Sequence, residues 1–112
     1  MKKLPACPVE TTLKLIGDQW TLLIIRELKS GTKRFGELKK ALHPITQKVL
    51  TQNLKQMENR GLITREVFPE VPPRVEYTLT DLGFKFQPII DLMWDYGENY
   101  QKQYAHLIQE NN

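Results

Sequence analysis

Apolar positions recur at two different periods along this chain, and the places where the period changes divide it into elements. Between Pro8 and Gly17, the residues Val9, Leu13 and Ile16 stand at i, i+4 and i+7, which puts them on one face of a helix. Pro8 suits a first-turn position and Gly17 a helix end. Asp18 is placed to cap a second helix, from about Gln19 to Lys29. Trp20, Leu23, Ile24 and Leu28 form its core face, with Leu22 and Ile25 broadening it, so Trp20 reads as core rather than as part of a ligand site. Ser30-Gly31 stops this helix, and Phe35, Leu38 and Leu42 supply the inner face of a third.

From Arg34 to Arg60 the pattern predicts a short helix, a tight turn containing Pro44, and a longer helix. Leu50, Leu54 and Met57 repeat the i, i+4, i+7 spacing as a narrow apolar stripe. The opposite side carries Lys48, Thr51, Gln52, Lys55 and Asn59, groups that bond phosphate oxygens or base edges. This is the layout of a helix-turn-helix, whose second helix enters the major groove. Any amphipathic surface helix looks half like this, so the segment after Arg60 decides between the two.

After Gly61 the period drops to two. LITREVF and VEYTLT are rich in β-branched and aromatic residues, and Val75, Tyr77 and Leu79 alternate with Glu76 and Thr78. Pro69, Pro72 and Pro73 between them lack the N–H that a ladder needs and belong in a loop. A two-stranded ribbon directly after a recognition helix is a wing, and its Arg74 is placed to reach a phosphate or an adjacent minor groove. The expected fold is mainly α with a small β-hairpin wing: a winged helix-turn-helix over about 9–79, within a single domain of 1–112.

The period lengthens again from Thr80-Asp81. Leu82, Phe86, Ile89, Met93, Tyr96, Tyr100, Tyr104 and Leu107 are spaced mostly by alternating threes and fours, as in a coiled-coil seam, with a bend or boundary expected at Pro88. Six of the ten aromatic residues fall between Phe84 and Tyr104. A small winged domain cannot cover that much apolar surface alone, so 80–109 reads as dimerisation helices. Val9, Leu13, Ile16, Met93, Tyr96, Tyr100 and Tyr104 are the interface candidates. Two recognition helices one helical turn apart would match a palindromic operator.

Composition permits this reading without establishing it. A chain of 112 residues is one domain's length and buries roughly 60–70% of its unfolded surface. The net charge of +3 is mild, but it is polarised along the sequence. Lys29, Lys33, Arg34, Lys39, Lys40, Lys48, Lys55, Arg60, Arg65 and Arg74 lie between the second helix and the wing, whereas the tail carries Asp81, Asp91, Asp95, Glu98 and Glu110. No apolar run approaches membrane-spanning length, the longest being Leu22 to Ile25. MKKLPAC lacks the hydrophobic region of a lipoprotein signal. With one cysteine and no export signal, the expectation is a cytoplasmic protein without an intramolecular disulfide.

An enzyme is not expected. His43 and His106 belong to no spaced set of metal ligands, Asp91 and Asp95 read as a solvated pair, and no phosphate loop or nucleophile motif is present. No cofactor or metal is called for. Three binding roles remain: a DNA-binding regulator, a winged-helix adaptor that meets another protein, and a regulator holding a small hydrophobic ligand among Trp94, Tyr96, Tyr100 and neighbouring aromatics at the dimer interface. For the first, Gln47, Lys48, Thr51 and Gln52 are the base-reading candidates. Lys55 and Arg74 are assigned to backbone phosphates, with Thr46 as helix cap. Cys7 precedes Pro8 at an N-cap position, where free N–H groups, aided slightly by Lys2 and Lys3, favour its thiolate.

The segments CPVETTLKLIGDQW, LLIIRELKSGTKRFGELKKAL, ITQKVLTQNLKQMENRGLI and FPEVPPRVEYTLTDLG resemble the HxlR-type winged-helix regulators of bacteria, from Cys7 to Gly97. The resemblance implies a homodimer with interlocking terminal helices that binds inverted-repeat operators, most simply as a repressor. It also implies that the cysteine at the position of Cys7 senses electrophiles or oxidants in several members. Two positions depart from the family pattern. Asp18-Gln19 stands where Gly-Lys is usual, which puts a phosphate-contacting lysine in doubt, and His43-Pro44 gives the turn a different character.

Overall fold

The computed structural model describes residues 4–109, so Lys2, Lys3 and Glu110 lie outside the described residues. The elements run α1 (Pro8–Ile16), α2 (Gln19–Leu28), β1 (Lys33–Arg34), α3 (Phe35–Ala41), α4 (Gln47–Asn59), β2 (Ile63–Phe68), β3 (Arg74–Leu79), α5 (Asp81–Phe84) and α6 (Gln87–Gln109). Local chemistry sets several of these limits. The Asp18 carboxylate accepts from the Trp20 N–H at 3.0 Å, and the Thr46 hydroxyl accepts from the Val49 N–H at 3.1 Å. Glu37 reaches back to the Arg34 N–H at 2.9 Å and opens α3. At the far end of α4, the Leu62 N–H bonds the Met57 carbonyl and the Gly61 N–H bonds that of Glu58. That paired closure requires the left-handed φ of +78° at Gly61, which a glycine adopts without strain.

The core lies between the helix-turn-helix and the sheet. Ile24, Ile25 and Leu28 from α2, Leu38 and Leu42 from the α3 end, Leu50, Leu54 and Met57 from α4, and Ile63, Tyr77 and Leu79 from the sheet are all buried. Burying each of the three α4 side chains contributes about 1.5–3 kcal/mol, against about 1 kcal/mol for the Thr46 cap. Packing therefore fixes α4, and the cap sets where it begins. Trp20 is half-buried and packs on this core.

Three features depart from the sequence expectation. The wing is part of a three-stranded antiparallel sheet, order β1-β3-β2, because Lys33 and Arg34 pair with Tyr77 and Glu76. Two charged residues carry no alternation, so this strand exists only through its partner. In the tail the boundary expected at Pro88 is present, with α5 stopping at Phe84 and Pro88 in the first turn of α6, where its missing N–H is harmless, but the apolar positions on either side do not form one seam. Phe86 turns into the core, joined by Ile90, while Ile89, Met93 and Tyr96 face outward. Finally, α2 and α4 share a buried polar contact. The Asn53 amide donates to the Val49 carbonyl at 3.0 Å and accepts from the Thr21 hydroxyl at 3.4 Å. Leaving such a group without partners costs about 1–3 kcal/mol, so the pair fixes the rotation of α4 against α2.

Candidate nucleic-acid interface

With Leu50, Asn53, Leu54 and Met57 turned inward, α4 presents Gln47, Lys48, Thr51, Gln52 and Lys55 to solvent, all five exposed. At 100° per residue they cover one arc of roughly 140°. Thr46 is engaged as the cap. Neutral amides and a hydroxyl interleaved with cations are groups suited to base edges and phosphates.

Beside this arc lies a notch of about 300 Å³, lined by Thr51, Lys55 and Glu58 of α4 and by Arg65 and Tyr77 of the sheet. Arg65 stands opposite Tyr77 in the β2–β3 register, so the two share the inner face of the wing. Among the described residues Arg65 makes no ion pair.

Arg74 has a different setting from the free cation that the sequence suggests. Its Nη1 lies 3.1 Å from Glu70, its Nε 3.2 Å from Glu76, and its guanidinium 4.0 Å above the Phe68 ring. Arg60 is likewise engaged within the fold, donating to the Leu15 carbonyl at 3.0 Å and tying the end of α4 to α1. Neither was legible in the sequence, where all cations between the second helix and the wing look alike.

The other candidate residues lie away from this surface. Cys7 is the N-cap of α1 and exposed; its thiol makes no capping bond, although its carbonyl accepts from the Thr11 N–H. Val9 and Leu13 are exposed on α1, whereas Ile16 is half-buried against the chain's own core. Met93, Tyr96 and Tyr104 are exposed on α6, and Tyr100 is half-buried with its ring 5.6 Å from that of Tyr104. Within one copy of the chain, Trp94 and Tyr96 border different hollows. Trp94 lines a hollow of about 330 Å³ against Leu22, Leu23 and Ile90, while Tyr96 borders another of about 360 Å³ with Ile89 and Leu92. A helical spacing of two residues puts Trp94 and Tyr96 on different sides of α6. Asp91 accepts from the Gln87 amide at 2.8 Å. No helix among the described residues is long and apolar enough to cross a membrane.

The family described as HxlR-like helix-turn-helix matches residues 15–105. The chain belongs to that family. Its relatives include YdeP of Bacillus subtilis, an uncharacterized HTH-type transcriptional regulator, 47% identical over 101 residues that span 90% of this chain and 79% of YdeP. A MarR-family structure from Porphyromonas gingivalis W83 superimposes with a TM-score of 0.80 at 43% identity, covering 88% of this chain and 96% of the other. The redox regulator HypR in its oxidized form gives a TM-score of 0.76 at 42% identity, covering 83% and 96%. The three-stranded sheet and the α3–α4 pair are thus the wing and helix-turn-helix of an HxlR-like transcriptional regulator.

Proposed function

We propose that this HxlR-like chain acts as a homodimer that occupies inverted-repeat DNA through α4 of each copy, most simply as a repressor. The observation that carries the reading is a division of surface. The exposed arc of α4 is polar and cationic, whereas α6 exposes an apolar flank on which Leu92, Met93 and Tyr96 are all more than half exposed. One surface suits a nucleic acid and the other a second copy.

Gln47, Lys48, Thr51 and Gln52 read bases, and Lys55 holds a phosphate. Gln52→Ala should weaken binding to a site selected from random duplexes by about 1–3 kcal/mol and loosen base preference, with mixed-sequence binding little changed. Mobility shifts at several salt concentrations check this. No shift by the wild type at any salt would transfer α4 to a protein partner and favour an adaptor.

For the signal, an exposed thiol at the start of α1, together with likeness to a redox regulator, supports Cys7 as the sensing group. With a single cysteine, any disulfide must join two subunits or attach a small thiol. Diamide or a quinone should release wild-type protein from its site and leave Cys7→Ser bound. Equal responses in the two proteins would remove Cys7 from the mechanism and leave ligand binding as the switch.

A further inference from the structure

We propose that Arg74 is the brace of the wing and that Arg65 is the wing cation that meets the DNA backbone, a division that rests on the DNA-binding reading above. The strand register separates the two residues. Arg65 pairs with the buried Tyr77 and faces inward, sharing a notch with Thr51 and Lys55 of α4. Arg74 pairs with Phe68 and lies three residues from Tyr77, which puts it on the opposite face of the ribbon.

The surroundings of Arg74 oppose a phosphate contact. Its guanidinium meets the Glu70 carboxylate at 3.1 Å, that of Glu76 at 3.2 Å and the Phe68 ring at 4.0 Å, leaving the side chain 27% exposed. Two carboxylates against one cation make this cluster net negative. Glu66 on β2 and Arg34 on β1 both stand directly opposite Glu76 in the sheet, so their charges balance and the cluster stays net negative. A phosphate would have to displace two ion pairs and a stacked ring. What the arrangement does is join the loop at Glu70 to both strands, since a planar guanidinium engages all three groups together. Lysine cannot: an ammonium is a point charge without a face to stack. In the notch, Lys55 and Arg65 against Glu58 leave a positive balance where α4 and the wing converge.

The test uses the full chain, a fluorescent mixed-sequence duplex titrated over a range of salt, and amide hydrogen exchange across 63–79. Arg65→Ala should weaken binding and reduce the slope of log affinity against log salt by about one. Arg74→Lys keeps its charge, yet affinity should fall roughly threefold to tenfold with the slope unchanged, the cost of re-ordering loosened side chains on binding. Exchange in β2 and β3 should quicken in the same variant. Glu76→Gln removes a negative charge and should still fail to tighten binding. The proposal is overturned if Arg74→Lys binds like the wild type while Arg74→Ala loses about one unit of slope, or if Glu76→Gln binds more tightly. A wild type that ignores the duplex at every salt concentration overturns the DNA reading and Arg65's part with it. The brace then stands or falls on exchange, and unchanged protection in Arg74→Lys overturns it.

Discussion

Replacing Gly83 with alanine should lower the unfolding free energy by about 3 kcal/mol or more, the upper end of what overpacking a well-filled site costs. Gly83 is buried in α5, and a Cβ there would collide with the Leu62 carbonyl oxygen and stand 2.8 Å from Cδ2 of Leu79. The leucine side chain can turn aside, but the carbonyl cannot. It accepts from the Thr80 N–H at 3.1 Å, while the Thr80 hydroxyl donates to the Gly61 carbonyl at 2.6 Å and accepts from the Gly83 N–H at 3.1 Å. These bonds join the closure of α4 to the start of α5, so relief of the clash must break one of them or separate α5 from the sheet. At about 4–8 °C per kcal/mol for a small domain, the melting temperature should fall by roughly 12–24 °C. Gly36→Ala is the control: nothing lies within 4 Å of its added Cβ, and its position in α3 favours alanine by up to about 1 kcal/mol. Urea and thermal denaturation of both variants measure the difference. A Gly83→Ala protein that melts with the wild type would mean that the junction yields easily and does not fix α5.

That junction also marks where the sequence ceases to be readable from pattern. The helix-turn-helix was legible because Leu50, Leu54 and Met57 are a stripe with nothing competing for it, and because Asp18 and Thr46 act locally through caps. Local rules cannot find contacts made across the fold. Lys33-Arg34 becomes a strand only because β3 lies beside it, and Gly83 matters only because Leu62 approaches from twenty-one residues earlier. Phe86 fits the seam by spacing yet is drawn into the core, since the break before α6 resets the helical phase. Within the candidate interface, the exposed α4 residues followed from periodicity. The setting of Arg74 was not legible, because charge is visible in a sequence and its pairing with Glu70 and Glu76 is not. Asn53 was passed over for a related reason: a polar residue among apolar ones looks like a gap until Thr21 is found beside it.

Subunit pairing should depend on the free side of α6. This helix has 23 residues, a length of roughly 34 Å at 1.5 Å per residue, and it packs mainly on α2. Leu92 and Tyr96, one turn apart on its free side, are 70% and 75% exposed. Exchanging both for glutamate should therefore change the stability of a lone subunit by no more than about 0.5 kcal/mol per site. In a two-fold pair, the same change places four carboxylates in one apolar contact, each costing several kcal/mol to desolvate. Leu92→Glu/Tyr96→Glu should sediment as a monomer and the wild type as a dimer. Its melting temperature should also lose the dependence on protein concentration that association imposes. Binding to an inverted-repeat duplex should weaken by about 10²-fold or more, because the second half-site is no longer engaged at high effective concentration. A single half-site should be bound nearly as before, since the α4 arc is untouched. Cutting the chain after Tyr96 should give monomer or aggregate by the same logic. If the double variant still sediments at twice the chain mass, the subunits pair elsewhere. If it is monomeric and holds the inverted repeat with undiminished affinity, one α4 and one wing suffice for recognition, and the apolar flank of α6 has some other partner.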